Sequence, residues 1–467
     1  MTGGEQDREL EEALALVSRQ PPSVPQPTVP GKPPTAPGER GAAGGRGTAG
    51  APGGPGEHSP TEEQGAAPLR HRAAPWGEAR SRASRAGRAV PVSARRAPLD
   101  RALGLILAGT LTALSDLPSF DTSAMDGWAV SGPGPWRIRD GGDILAGRAE
   151  PEPLVDGDAV RIATGARIPR DATAVVRTEH ARPDDRTGQL HAQRQVVTGQ
   201  DIRPRGQECR TGDQLLPAGS LVTPAVLGLA AAAGYDELPV IPRPRAEVLV
   251  LGDELLAGGL PHGGLIRDAL GPMIGPWLRT LGAEVLATRR LGDDADALQQ
   301  AIADSEADLV ITTGGTAAGP VDHVHPILHK LGAELLVDSV AVRPGHPMLL
   351  ARLADGRHLV GLPGNPLAAV SGLLTLADPL MRGLSGRPVV ESYAMPVSEE
   401  VHGHPYDTRL VPVVHRTDEV VPLRFHGPAM LRGVAAADGL AVVPSGGARP
   451  GQLLEILDLP WAEECFT

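Results

Sequence analysis

The sequence lacks the features that mark disulfide frameworks, cysteine-based metal sites and membrane spans. Its two cysteines, Cys209 and Cys465, stand far apart and give neither a disulfide framework nor a metal-binding spacing. No run reaches the roughly 18 apolar residues that a membrane-spanning helix needs. The N-terminus is acidic where a signal peptide would be positively charged. We therefore expect a cytoplasmic protein with no membrane partner.

Lysine is almost absent as well, and acidic residues outnumber basic ones. Lysine occurs only at Lys32 and Lys330, so a lysine-to-arginine difference carries little meaning in this chain. The formal net charge of −12 argues against nonspecific nucleic-acid binding, which requires neutralisation of phosphates. A local basic pocket for a small anion is still compatible with this charge.

Glycine and proline are abundant, and their distribution divides a chain that is too long for one ordinary core. Residues 1–72 are rich in Pro, Gly and charge, which predicts a disordered extension. The other predicted units are a helical linker domain, a β-rich inserted domain, an α/β domain and a C-terminal β domain. Their boundaries are 73–112 with 206–243, then 113–205, 244–390 and 391–467, in that order.

Patterns of apolar residues support this division. Trp76 opens a helical pattern, and Pro98 begins a sequence that resembles a second amphipathic helix. Short runs with frequent turns between 113 and 205 indicate strands. Strands and helices alternate between 245 and 390, which implies a doubly wound parallel sheet with helices on both faces. The predicted fold class is therefore multidomain α/β plus β, with this sheet at its centre.

A glycine-rich loop follows one predicted strand of the sheet, with the sequence Thr313-Gly-Gly-Thr-Ala-Ala-Gly-Pro-Val-Asp322. Gly314 and Gly315 would permit close approach of the backbone to a ligand. Pro320 suits the first position of a helix, whose free amide groups favour an anion. Asp322 either complements the helix dipole or faces that anion through a metal or a hydroxyl. The spacing leaves both interpretations open.

A second loop of this kind is Gly361-Leu-Pro-Gly-Asn-Pro366. Asn365 is a good N-cap and Pro366 a good first residue for the helix that follows. The loop and the helix start would form either a second anion cradle or an ordinary capped turn.

Acidic residues follow other strands of the same predicted sheet. Glu254 ends the motif Gly252-Asp-Glu254, and Asp293 and Asp294 follow the next strand. With Asp322, these acids are expected where the carboxyl ends of the strands converge. Clustered carboxylates beside anion cradles indicate metal-assisted chemistry on a phosphorylated or oxyanionic substrate. Solvated helix caps are the alternative, and we assign Asp294 to that role.

Two further strings lie in the β-rich part of the chain. Phe120-Asp-Thr-Ser-Ala-Met-Asp-Gly-Trp-Ala129 contains Ser123 and Asp126 between apolar residues, and Arg161-Ile-Ala-Thr-Gly-Ala166 presents Thr164 between small ones. Spacing alone assigns no reaction to either string.

Together with Arg343-Pro-Gly-His-Pro347, these strings resemble the molybdopterin molybdenumtransferase family, of the MoeA and gephyrin type. The resemblance covers about residues 74–467, and the order of the motifs is very specific. It implies an elongated subunit of four domains, usually a homodimer, with the active site between subunits. It also implies that molybdate is inserted into the dithiolene of adenylylated molybdopterin with release of AMP, usually with Mg²⁺.

The resemblance also implies roles for single residues. Asp126, Glu254, Asp293 and Asp322 match its catalytic acids, and the last three would hold the Mg²⁺. The positions implied in substrate binding are Ser123, Thr164, Gly314, Gly315, Arg343, His346, Pro363, Gly364, Asn365, Pro366 and Arg409. Of these, Arg409 matches a basic residue with which the family holds molybdate. The molybdopterin adenylyltransferase is an implied partner protein.

Four positions differ from the family's pattern, and three of them are lysines in the family. Arg343 and His346 replace the lysines of Lys-Pro-Gly-Lys-Pro, Ser339 replaces a further lysine, and Pro428 replaces a serine. Arginine can hold an oxyanion in bidentate fashion, whereas histidine is mostly neutral at pH 7. The alternative to an active enzyme is therefore a non-enzymatic carrier or scaffold that binds molybdopterin.

Overall fold

The computed structural model describes residues 73–140, 142–316, 323–388 and 392–462. The extension predicted at 1–72 lies outside the described residues, and so does Asp322 with the second half of its loop. Three sheets of six or seven strands, with helices and smaller sheets around them, make up the described chain.

A six-stranded sheet forms the α/β unit, and its fold class is as predicted. In spatial order its strands are Glu284–Leu291, Arg245–Leu251, Leu309–Thr313, His358–Leu362, Leu349–Arg352 and Glu334–Asp338. The first four are parallel. The strand Leu349–Arg352 is antiparallel to its neighbour, because the turn at 353–357 is far too short for a parallel crossover.

Helices cover both faces of this sheet. Alternate residues of the strand Arg245–Leu251 point to opposite faces, so Val248 and Leu249 belong to different cores. The helices are Leu270–Thr280, Ala295–Asp304, Val324–Lys330, and the continuous Pro366–Gly372, Leu373–Ala377 and Asp378–Leu384, of which Leu373–Ala377 is π-helical. Because both faces are covered, the central strands are apolar and buried along most of their length.

One continuous helix of the described residues, Pro366–Leu384, is long and apolar enough to cross a membrane by length and composition alone. The expectation from the sequence overlooked this segment. In the structure, however, 94% of its apolar window is buried inside the protein. A helix enclosed by its own domain is apolar on every side, which accounts for the composition.

The helix Trp76–Ala89 packs against the α/β unit and not in the linker unit with which the sequence grouped it. A Cβ added at Gly87 would lie 2.2 Å from the Leu380 carbonyl oxygen, so the two helix backbones touch there. The Trp76 indole donates a hydrogen bond to Thr375 Oγ1 at 3.1 Å. This helix therefore stabilises the π-helical segment from outside.

The start of the helix Leu270–Thr280 is held by a buried carboxylate. Asp268 accepts from the Gly271 amide at 2.8 Å and from Arg290 Nη2 at 2.7 Å, and its side chain is 1% exposed. We expect Asp268→Ala to lower the free energy of unfolding by about 2–3 kcal/mol, through loss of the cap and of the ion pair. The half-exposed Arg290 keeps the loss below that of a fully buried pair.

Urea unfolding would measure this loss, with Asp268→Asn as the matched variant. The amide retains an acceptor for Gly271 and removes only the charge, so its loss should be smaller. An unchanged midpoint in Asp268→Ala would contradict the assigned role.

A second large sheet forms the β-rich unit. Its strands, in spatial order, are Ala181–Asp184, Gln189–Ala192, Trp136–Ile138, Asp158–Ile162, Gly127–Val130 and Ala174–Arg177. A strand pair, Thr122–Ser123 with Ile202–Arg203, and the 3₁₀ helix Thr178–His180 lie beside it. A Cβ added at Gly127 would lie 2.1 Å from the Val176 carbonyl oxygen, so the strand contacts require glycine.

The linker unit is richer in strands than predicted. Its elements are Arg95–Pro98, Glu237–Ile241 and Ile106–Leu107 in one sheet, Leu111–Thr112 with Gln214–Leu216 in another, and the helices Leu99–Ala102 and Pro224–Ala232. The helix predicted from Pro98 was wrong beyond Ala102. Gly104 has a φ of 75°, and the chain then pairs with the central strand of that sheet.

The C-terminal sheet joins three parts of the chain. Its strands are Ala74–Pro75, Val340–Arg343, Thr408–His415, Gly439–Val443, Leu453–Asp458 and Tyr393–Pro396, with Val420–Pro422 beside the third. A short helix, Arg432–Ala435, lies against it. The strand Val340–Arg343 comes from the α/β segment, so this pairing brings the motif beginning at Arg343 to the C-terminal unit.

Candidate functional site

The loops at the carboxyl edge of the central sheet converge, as predicted. The Gly314 amide donates to the Leu362 carbonyl at 2.8 Å, and a Cβ added at Gly314 would lie 3.6 Å from the Leu251 carbonyl oxygen. A Cβ added at Gly364 would lie 3.7 Å from the Gly314 Cα. The ends of three neighbouring strands thus form one surface, which is where open α/β sheets bind ligands.

Two of the predicted acids lie on adjacent loops of this edge. The strands that precede Glu254 and Asp293 are paired at their last residues, and both side chains are exposed. The neighbouring Asp253 carboxylate lies over Gly292, where an added Cβ would be 2.4 Å from Asp253 Oδ1. In contrast, Asp294 caps the next helix by accepting from the amides at 296 and 297, which confirms its assignment as a cap.

No three His, Cys, Asp or Glu side chains among the described residues come together as a metal-binding group. Asp322 is outside that part of the chain, so the predicted metal set stays a prediction. The donor chemistry of Glu254 and Asp293 nevertheless fits Mg²⁺, which keeps several waters and is held by one or two carboxylates together with substrate phosphates. These two exposed carboxylates would supply part of its ligand set.

The glycine-rich loop adopts the backbone that only glycine tolerates well. Gly314 and Gly315 have φ values of 83° and 64°. Thr316 is buried behind them. The helix start predicted at Pro320 lies outside the described residues.

The second predicted anion cradle is closed by the protein itself. Pro366 is the first helical residue and Asn365 is the N-cap, as expected, but the Asn365 side chain makes no capping hydrogen bond. The Leu367 and Ala368 amides donate to the Pro428 carbonyl at 2.9 and 3.3 Å. Of the two alternatives left open for this loop, the anion cradle does not apply to these two amides, because they are already bonded. In the loop before them Pro363 is buried, whereas Gly364 is exposed.

Two arginines lie side by side where the α/β and C-terminal units meet. Arg343 and Arg409 are partners in neighbouring parallel strands, so their side chains start from the same face. Arg343 Nε donates to Asp407 Oδ2 at 2.8 Å. Gly345, two residues after Arg343, lies against the first turn of the helix that begins at Pro366, since a Cβ added there would be 3.1 Å from the Ala368 carbonyl oxygen.

Ser339 and His346, which stand where the family has lysines, form hydrogen bonds within their own turn. The His346 ring bonds through Nδ1 to the Val340 carbonyl at 2.9 Å, and the Val340 amide donates back to the His346 carbonyl. Ser339 has a φ of 61° and donates through its hydroxyl to the Asp338 carbonyl at 2.6 Å. These contacts leave the arginines as the cations of this region, and a role of His346 in binding stays a prediction.

The predicted residues of the β-rich unit form a separate group. Asp126 Oδ1 accepts from the Thr164 amide at 2.7 Å. This bond, with the nearby Arg161 as a weaker cause, lowers the pKa of Asp126. Ser123 is buried and donates to the Met125 carbonyl at 2.6 Å, so it shapes the turn before Asp126. Within the described residues, the hydrogen bonds of Asp126 link it to its own unit and not to the acids of the central sheet.

Three contributors to this site were missed from the sequence: Asp407, His426 and the Pro428 carbonyl. Arg409 Nη2 lies 2.7 Å from His426 Nδ1, and Arg409 also donates to the His402 carbonyl. Asp407 could have been predicted from the sequence, because it is two residues from Arg409 and residues two apart in an extended segment share a face. The other two contacts depend on a loop whose position no local pattern reveals.

The fold and these residues define a multidomain protein with a molybdopterin-binding type of α/β unit. Residues 247–383 match the family model described as a probable molybdopterin binding domain. Residues 74–234 match the MoeA N-terminal region (domain I and II), and 394–459 match the MoeA C-terminal region (domain IV).

Individual relatives agree with the family models. Molybdopterin molybdenumtransferase 2 of Mycobacterium tuberculosis (strain H37Rv) is 39% identical over 310 residues, which are 62% of this chain and 75% of the relative. Molybdopterin molybdenumtransferase of Staphylococcus aureus (strain N315) is 31% identical over 381 residues, 77% of this chain and 90% of that one. The molybdopterin biosynthesis MoeA protein from Pyrococcus horikosii has the same fold, with a TM-score of 0.70 at 24% identity, over 83% of this chain and 99% of that chain.

This chain therefore belongs to the molybdopterin molybdenumtransferase (MoeA) family, a family of transferases in molybdenum cofactor biosynthesis.

Proposed function

We propose that this chain inserts molybdate into adenylylated molybdopterin and releases AMP. The observation that carries the proposal is the arginine pair, Arg343 and Arg409, on neighbouring strands whose adjoining loops pack on the start of the helix after the Gly361–Pro366 loop. A guanidinium pair suits a tetrahedral oxyanion, and exposed carboxylates at the carboxyl edge of the central sheet suit a phosphoanhydride with its metal.

Each part of the site has a distinct task in this reaction. Gly314 and Gly315 allow the backbone to approach the substrate phosphates closely. Arg409 binds molybdate near the dithiolene, so that the two reacting groups are held close together. Water cleaves the phosphoanhydride, so AMP leaves and the molybdopterin phosphate remains. Glu254 and Asp293, with Asp322, would hold Mg²⁺, which supplies electrostatic stabilisation of the phosphate oxygens when bound.

The proposed active form is a homodimer in the cytoplasm. Asp126 and Thr164 lie in the β-rich unit, whereas Glu254 and Asp293 lie on the central sheet. A site between subunits would combine the β-rich unit of one subunit with the sheet edge of the other. The molybdopterin adenylyltransferase is the proposed partner protein, because its product is the substrate here.

A non-enzymatic carrier or scaffold is the second candidate. It is favoured by the contacts of the replaced cations, since Arg343 is paired with Asp407 while Ser339 and His346 bond within their turn. A carrier would bind molybdopterin tightly without turnover.

Incubation of the purified protein with adenylylated molybdopterin, molybdate and Mg²⁺ separates the two candidates. We expect AMP release that depends on molybdate and that falls to background in an Asp322→Ala variant. Tight binding of molybdopterin with AMP release equal to that of the variant would favour the carrier. Competition by tungstate in the same assay measures selectivity for the oxyanion.

A further inference from the structure

The orientation of Arg409 depends on two neutral acceptors. Its guanidinium donates to the His402 carbonyl and to His426 Nδ1, the latter at 2.7 Å. Two bonds from different segments fix the plane of the guanidinium, which a single bond would leave free to rotate. His426 supplies the only side chain in this pair of acceptors.

The tautomer of His426 follows from its partner. A guanidinium has donors and no acceptor, so His426 Nδ1 must be unprotonated and must accept the bond. Burial, and then the charge of Arg409, lower the pKa of His426, which keeps the ring neutral at pH 7. The proton of the neutral ring is therefore on Nε2.

The two arginines of the pair differ in how their charges are balanced. Arg343 bonds to the Asp407 carboxylate, so its positive charge is offset. Within the described part of the chain Arg409 donates to two neutral acceptors and to no carboxylate. A dianion placed against the pair would therefore be attracted mainly by Arg409.

The segment that carries His426 is held at both ends. Two residues after it, the Pro428 carbonyl accepts from the Leu367 and Ala368 amides. Just before it, the backbone of Arg424 and Phe425 packs so closely on Gly433 that an added Cβ there would lie within 2.9 Å of both carbonyl oxygens. The acceptor at His426 is thus placed by backbone contacts with two helices and does not depend on Arg409.

We propose that His426 is a positioning residue, which orients Arg409 for the oxyanion while leaving its positive charge uncancelled. A carboxylate at this position would orient the guanidinium equally well but would neutralise it. The inference rests on the proposed function, in which Arg409 binds molybdate. It assigns a task to a residue of this chain near Pro428, where the family's serine is absent.

Three substitutions at His426 separate orientation from charge. Oδ1 of Asn occupies nearly the place of Nδ1, so His426→Asn keeps a neutral acceptor. His426→Asp keeps the acceptor and adds a negative charge, and His426→Leu removes the acceptor at similar volume. We expect KM for molybdate to stay within about 3-fold in His426→Asn and to rise by about 10-fold or more in the other two. The KM for adenylylated molybdopterin should not change in any of them.

The measurements are AMP release at varied molybdate and equilibrium dialysis of molybdate with the full chain. Equal KM values for molybdate in all three variants and wild type would overturn the inference, and so would an equal rise in Asn and Leu. If wild type itself releases no AMP, the proposed function fails. Dialysis still tests His426 in that case, because weaker molybdate binding in Leu and Asp, but not in Asn, supports the positioning role without turnover.

Discussion

A Glu254→Gln variant should release AMP about 10²–10³-fold more slowly than wild type at saturating substrates. The substitution keeps the shape of the side chain and removes one of the negative charges that would hold Mg²⁺ at the sheet edge. Loss of several kcal/mol of transition-state stabilisation corresponds to a rate effect of this size. A stopped assay of AMP release at increasing Mg²⁺ would measure it, and the half-saturating Mg²⁺ concentration should rise.

Glu306→Gln is the matched control for this variant. Glu306 lies before the strand Leu309–Thr313, at the amino end of the sheet and far from the converging loops, and its side chain is 84% exposed. The same change of charge there should leave the rate of AMP release unaltered. A Glu254→Gln enzyme that works within about 3-fold of wild type would contradict the proposed role of the sheet-edge acids.

The arrangement of the central unit could be predicted because its signals are local. Leu270–Thr280 and Ala295–Asp304 show helical spacing, and the buried strands Leu309–Thr313 and His358–Leu362 are mostly apolar. Loops after parallel strands meet at one edge whatever the details of packing, so Glu254 and Asp293 could be brought together from the sequence.

Features that depend on contacts distant in sequence could not be predicted in this way. The pairing of Val340–Arg343 with Thr408–His415 joins strands about 65 residues apart, and only this register makes Arg343 and Arg409 neighbours. The closed helix start at Pro366 depends in the same way on a carbonyl from Pro428. The helix predicted from Pro98 ends early because the residues after it pair with the strand Glu237–Ile241, which the local pattern did not indicate.

Mixing two inactive variants should restore activity if the site lies between subunits. Asp126→Ala removes a carboxylate of the β-rich unit, and Glu254→Gln removes one of the central sheet. In a mixed dimer one site would carry both substitutions, and the other would carry neither. Random reassociation makes half of the dimers mixed, so we expect about a quarter of wild-type AMP release. Each variant alone should stay near background.

The control mixture combines Asp126→Ala with the double variant Asp126→Ala/Glu254→Gln. No dimer in that mixture has an intact site, so activity recovered there would come from something other than shared residues. Recovery only in the first mixture requires that Asp126 of one subunit act with Glu254 of the other. Absence of recovery, in mixtures shown by mass to contain mixed dimers, would place each site within one subunit. Because Asp126→Ala also removes the acceptor of the Thr164 amide, the mixture is repeated with Asp126→Asn, which keeps an acceptor there, so that an absence of recovery does not reflect a loss of local structure.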